Sequence, residues 1–157
     1  MNKQDRYIEQ FAPLRIAYMR HIGPYGPVNI ETMELLKSWA IQRELLTHTA
    51  ILLGIAQDDP ATTAPDHCRY DACIVIPDDY IFDEQKEHIN TGGFSGGTYL
   101  VVTVKHTAED IQHAWSEVTP YLQASGYRLD HKPVLERYRP ELLDQHLCEI
   151  CIPVTII

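Results

Sequence analysis

The chain is short of basic residues: 13 Lys and Arg stand against 22 Asp and Glu in 157 residues, a formal net charge of -9. A surface that binds phosphate backbones normally needs the opposite balance, so no direct nucleic-acid partner is expected. The acidity instead raises the local concentration of cationic small molecules, in a salt-dependent way. No run approaches the ~20 apolar residues of a membrane span, and Met1-Asn2-Lys3-Gln4-Asp5-Arg6 has no apolar signal core behind it. A cytoplasmic protein with no membrane partner is therefore expected. Its four cysteines are then expected to be reduced. The eight histidines are scattered and no HExxH spacing occurs, so no metal and no cofactor are expected.

The length fits one domain with a real core. Arg15 to Ile22 alternates as a strand, with Ile16, Tyr18 and Ile22 on one face and Ala17 and Met19 on the other. Gly23-Pro24-Tyr25-Gly26-Pro27 punctuates it, and a helix follows with Ile30, Met33, Leu36 and Ala40 on one stripe and Leu35 and Trp39 beside it. Strands are expected at Ala50–Ile55, Tyr70–Ile76, Thr98–Val104, Val134–Tyr138 and Cys148–Ile156. A second helix opens on a cap of Thr107 with Asp110, carries Ile111, Ala114, Trp115, Val118, Tyr121 and Leu122 on one stripe, and stops at Gly126. Pro120 predicts a kink or a restart within it. The order strand, helix, strand, strand then occurs twice, a weak internal duplication. The fold class is α+β, with half-repeats of about 1–77 and 90–157 and a linker of about 78–89. Two such halves packed about a pseudo-twofold axis leave a groove, a natural place for a ligand.

One carboxylate stands out. In Pro133–Tyr138 the alternation puts Glu136 on the same strand face as Val134 and Tyr138, the face that should be buried. A carboxylate there costs several kcal/mol, roughly, unless a cation, a donor or a proton compensates it. Glu136 is either a ligand-binding group or half of a structural ion pair with Arg20 or Arg69. The strand tyrosines each offer a ring face and a hydroxyl, and the two tryptophans sit on helical stripes where core packing is the commoner role. His21, beside the Gly-Pro-Tyr-Gly turn, is the only histidine placed near the groove.

Other motifs carry less. Gly93-Phe94-Ser95-Gly96-Gly97 matches a nucleophile elbow, but that turn needs a strand before it and a helix after it, whereas here a strand follows. The glycines read as a turn or bulge. Cys148 and Cys151 are three apart in a strand and point to opposite faces, so with Cys68 and Cys73 they read as small buried hydrophobes rather than a zinc or redox site. Asp58, Asp59 and Asp66 read as a solvated acidic loop.

Ile16–Gly26 resembles the opening strand and turn of the GyrI-like family, which includes DNA gyrase inhibitory proteins and the effector-binding domains of AraC-type regulators. Gly54–Asp59, Cys68–Ala72, Gly96–Tyr99, Trp115, Ser125–Tyr127, Glu136–Tyr138 and Ile152–Val154 are similar to later landmarks in the same order. The resemblance implies an SHS2-like duplicated βαββ fold whose central groove takes aromatic or cationic small molecules, as multidrug-binding members do. It implies Glu136 as the pocket carboxylate and Tyr18, Tyr70, Tyr99 and Tyr138 as groove aromatics; the matching placement of Trp39 and Trp115 in the two halves reads as framing the groove floor. No residues remain for a helix-turn-helix, so direct DNA binding is not expected. The gyrase-inhibitor branch adds DNA gyrase as a protein partner. A further branch implies hydrolysis of strained cyclopropanoid electrophiles, with Glu136 as general base.

Overall fold

A computed structural model describes residues 6–157; the polar opening Met1–Asp5, on which the expectation of no leader partly rests, lies outside them. The chain runs β1 (Arg6–Phe11), β2 (Leu14–Ile22), α1 (Pro27–Gln42), β3 (Leu52–Ala56), β4 (Arg69–Ile76), α2 (Glu84–Glu87), β5 (Asn90–Phe94), β6 (Gly97–Lys105), α3 (Ala108–Ser125), β7 (Tyr127–Leu129), β8 (Leu135–Tyr138), α4 (Pro140–Leu143) and β9 (Leu147–Ile156). This is a mixed α and β fold with one large antiparallel sheet. Its strands follow the path β1-β6-β9-β8-β3-β4-β2-β5, and β7 pairs with β9.

Strand alternation divides the interior in two. On one face Ala17, Leu52, Ala72, Ile74, Leu100, Val102, Ile150 and Ile152 pack under Leu36 and Ala40 of α1 and Ala114, Val118 and Leu122 of α3. On the other, Ile16, Leu53, Cys73, Tyr99, Val101, Leu135 and Cys151 form a core that no helix covers. The sheet covers it by curling. Phe11, on one edge strand, stacks on Tyr99 at 4.6 Å between ring centroids and meets Phe94, on the opposite edge strand, at 6.0 Å.

The helices largely follow their sequence signals. The Thr107 hydroxyl accepts from the Asp110 amide at 3.2 Å, and Gly126 ends α3 with φ 81°, a left-handed conformation in which glycine has no Cβ penalty. Two expectations are corrected. α3 does not restart at Pro120: the helix runs on from Ala108 to Ser125 with the ring exposed, and the missing amide hydrogen costs one intrahelical bond. In α1, Thr32, Met33, Leu36, Trp39 and Ala40 are buried, whereas Ile30 of the expected stripe and Leu35 beside it are exposed. The glycine-rich segment is divided: Asn90–Phe94 is a strand the sequence did not suggest, β5, whereas Ser95-Gly96 makes the expected turn before β6. No helix among the described residues is long and apolar enough to cross a membrane.

α1 lies over β2 and β4, and α3 over β6 and β7. The centre of the sheet, where β3 pairs with β8, is left between them.

Candidate functional site

β8 is flanked by β3 and β9, with Gly54 and Ile150 directly beside Glu136. Leu135 and Arg137 turn to the helix-free face, so Glu136 and Tyr138 rise on the helix side. Gly54 makes room here. A Cβ at that position would lie 2.7 Å from the Tyr70 hydroxyl, so only glycine lets the Tyr70 ring lean across β3 towards β8. Glu136, Tyr138 and Tyr70 line one cavity of about 270 Å³. α1 closes its side with Asn29, Ile30, Met33, Glu34 and Lys37, and His106 and Leu143 complete it.

Glu136 is half-buried and accepts a hydrogen bond from the Tyr138 hydroxyl. Burial, then the negative charge of Glu136, push the Tyr138 phenol far above its ordinary value; the same two causes raise Tyr70. Both phenols therefore remain neutral donors at physiological pH. The His106 ring lies 5.4 Å from that of Tyr138.

Neither expected arginine reaches Glu136. Arg20 forms a two-toothed pair with Asp71 at 2.7 and 2.8 Å, and Arg69 pairs with Asp58 at 2.9 Å. The geometric reason is sidedness: Asp71 alternates with Tyr70 and Ala72, so its carboxylate, and Arg20 with it, lies on the face away from the cavity. Arg137 is held by Glu149 and Glu9, both at 2.9 Å. Lys37 shares the cavity, but its ammonium lies 3.3 Å from Glu34. Among the described residues, Glu136 thus has a donor but no cation within ion-pair distance.

The remaining candidates are placed elsewhere. Tyr18 lies on the helix-free side, with the Arg20 guanidinium 5.6 Å from its ring centre, and Tyr99 is buried in the helix-free core. They do not wall the cavity, because β2 and β6 turn these positions to the opposite face from Tyr70 and Tyr138. Trp39 is buried below α1, where its indole donates to Glu87 at 2.9 Å and its ring meets Phe82, so it pins the segment after β4. Trp115 lines a different hollow. His21 is not at the cavity; the histidine there is His106. Cys148 and Cys151 are free, buried and on opposite faces, and burial pushes the Cys148 thiol up to about 12. Sequence reasoning missed the α1 contributors and His106. A signal existed for the helix: Glu34 and Lys37 fall four and seven residues after Ile30, polar groups in an otherwise apolar stripe.

The arrangement can hold a cation with an apolar body: the Glu136 carboxylate, two phenol rings, and Met33, Ile30 and Leu143, with Glu34 and Lys37 paired to each other at the α1 side. Among the described residues, no three His, Cys, Asp or Glu side chains gather closely enough to hold a metal ion.

Comparison with known proteins places the fold and the family. The chain is 36% identical over 148 residues, 94% of its length and 97% of the relative's, to YosT of Bacillus subtilis (strain 168), an SPbeta prophage-derived protein named as a transcriptional regulator. Other relatives, at 22–29% identity, carry the name DNA gyrase inhibitor. Among solved structures, EcmrR in a complex with DNA superposes with a TM-score of 0.72 at 16% identity; the match covers 97% of this chain but 57% of that longer one. SAV2435 bound to tetraphenylphosphonium superposes with a TM-score of 0.57 at 14% identity, covering 96% and 93%. The family model matches residues 5–155, and the chain belongs to the GyrI-like small molecule binding domain family.

Proposed function

We propose that this chain binds aromatic or amphiphilic cations in the Glu136 cavity, sensing or sequestering them without transforming them. The observation that carries the reading is the state of Glu136: a half-buried carboxylate among phenol rings, with a hydrogen-bond donor and, among the described residues, no cation within ion-pair distance. A partly desolvated carboxylate attracts a cation more strongly than a fully hydrated one, and the rings add ~0.5–2 kcal/mol of cation–π attraction. SAV2435, of like fold, holds such a cation, tetraphenylphosphonium, which supports the ligand class. The reading treats β2–α1–β3–β4 and β6–α3–β8–β9 as duplicated halves of one domain. In support, their strands lie in the matching spatial orders β3-β4-β2 and β8-β9-β6.

The test is a calorimetric titration of tetraphenylphosphonium into the wild type and Glu136→Gln. Micromolar binding that the variant weakens at least several-fold is expected. Equal affinities in the two proteins would remove Glu136 from the account.

A second reading, contact with DNA gyrase, is favoured by the name that several relatives share. A supercoiling assay decides it: inhibition by this chain supports it, and none at high protein excess eliminates it.

A further inference from the structure

Beside the Glu136 cavity lies a larger hollow of about 640 Å³. Its walls come from α3, from the chain after β3, and from the segment between β7 and β8. The two linings share no residue, but their walls are neighbours. Ala56, which lines the larger cleft, is the cross-strand partner of Tyr70, which walls the cavity. Val134 also lines the cleft, packs against the helix-side core, and stands two residues before Glu136, about 7 Å along an extended chain.

The aromatic wall of this cleft is Trp115. Trp39 is only 9% exposed, whereas Trp115 is 39% exposed within a concavity. An indole left in water there offers apolar area and a stacking face that a ligand ring would cover. Pro60, Leu129 and Pro133 stand with it and offer no polar side-chain group. Two of the three acidic groups nearby have a cationic partner, and the third, Asp59, has a backbone donor. Asp58 is held by Arg69 at 2.9 Å, Asp59 accepts from the Ala61 amide at 2.8 Å, and Asp130 lies 3.8 Å from Lys132. Gln57, His131 and Lys132 also line the cleft, so it is the patch around Trp115, Pro60, Leu129 and Pro133 that is suited to a flat apolar group, and the neighbouring cavity to a positive one.

Resting on the binding reading above, we propose that cavity and cleft form one elongated groove. Its ligand is an amphiphilic cation with an ammonium head at Glu136 and an aromatic ring against Trp115, the two separated by a spacer that passes Tyr70 and Val134. Trp115 is then the residue that sets ligand length.

The experiment compares phenethylammonium, which fills the cavity alone, with 6-phenylhexylammonium, whose ring reaches beyond Val134. Calorimetry is run on the wild type, Trp115→Ala and Trp115→Phe, with circular dichroism confirming each fold. The long cation is expected to bind wild type roughly tenfold more tightly than the short one, the scale of one added aromatic contact. Trp115→Ala removes that advantage and leaves the short cation unaffected; Trp115→Phe, which keeps a ring, restores most of it. Equal affinity of the two cations for wild type, or an advantage that survives in Trp115→Ala, overturns the elongated groove and leaves the Glu136 reading standing. If wild type binds neither cation, both fall together.

Discussion

Glu136 keeps its charge uncommitted because of where its neighbours point. The expected partners Arg20 and Arg69 are bound by Asp71 and Asp58, and the adjacent Arg137 by Glu9 and Glu149. What reaches Glu136 is a phenol, and what flanks it is Gly54, whose missing side chain admits Tyr70. Gly54→Ala would place a methyl group against a ring that is itself buried and cannot swing away freely. A loss of about 1–3 kcal/mol in folding stability is expected, read from urea unfolding, together with weaker cation binding. An unchanged unfolding midpoint would contradict the close approach. At this scale the sequence was informative within one strand, since period-two alternation alone joins Val134, Glu136 and Tyr138. It was uninformative across strands: nothing local says whether Tyr18 or Tyr99 shares a face with Tyr70. That depends on pairing register and on which face the helices cover, both set by distant contacts.

The elements divide the same way. Long periodic segments such as α1, α3, β4 and β6 were legible because burial of one face imposes the pattern. β5 and β7 were not, for distinct physical reasons. β5 reads Asn90-Thr91-Gly92-Gly93-Phe94, whose glycines carry no side-chain pattern, and β7 is three residues held by β9. α3 yields a prediction of its own. Pro120 lacks the amide hydrogen that a helix interior would use, and its exposed ring gains nothing from the core. Pro120→Ala should therefore stabilise the protein by about 1–3 kcal/mol, seen as a higher urea midpoint with an unchanged slope. A lower midpoint would show that the proline serves the fold.

At the scale of the molecule, one curled sheet holds two cores, and the helix-free side carries a buried ionic knot. Glu149, fully buried, accepts from Arg137, Arg139 and Tyr7, and Arg137 also grips Glu9. Burial alone would raise the Glu149 carboxyl, but hydrogen bonds from Arg137 and Tyr7 and the nearby guanidinium charges hold it below its ordinary value. A carboxylate depressed on folding stabilises the protein above its unfolded value of about 4.3, and that contribution is lost as the pH falls through the folded value. Stability should thus decline below about pH 4. Arg137→Met, which leaves Glu149 buried without its main partner, should cost about 3–5 kcal/mol near neutral pH. Thermal or urea unfolding across pH 3–7 checks both; a variant as stable as wild type would refute the knot's role. The whole acidic surface also attracts cations, so the central claim needs a probe that separates the cavity from general charge. Phenyltrimethylammonium and tert-butylbenzene share a shape and differ by one charge. Titrated at physiological salt against wild type and Glu136→Gln by ligand-observed NMR, the cation should be preferred at least tenfold by wild type, and the preference should collapse in the variant. Equal binding of the two by wild type, or a preference that Glu136→Gln leaves intact, would contradict a cavity built around that carboxylate.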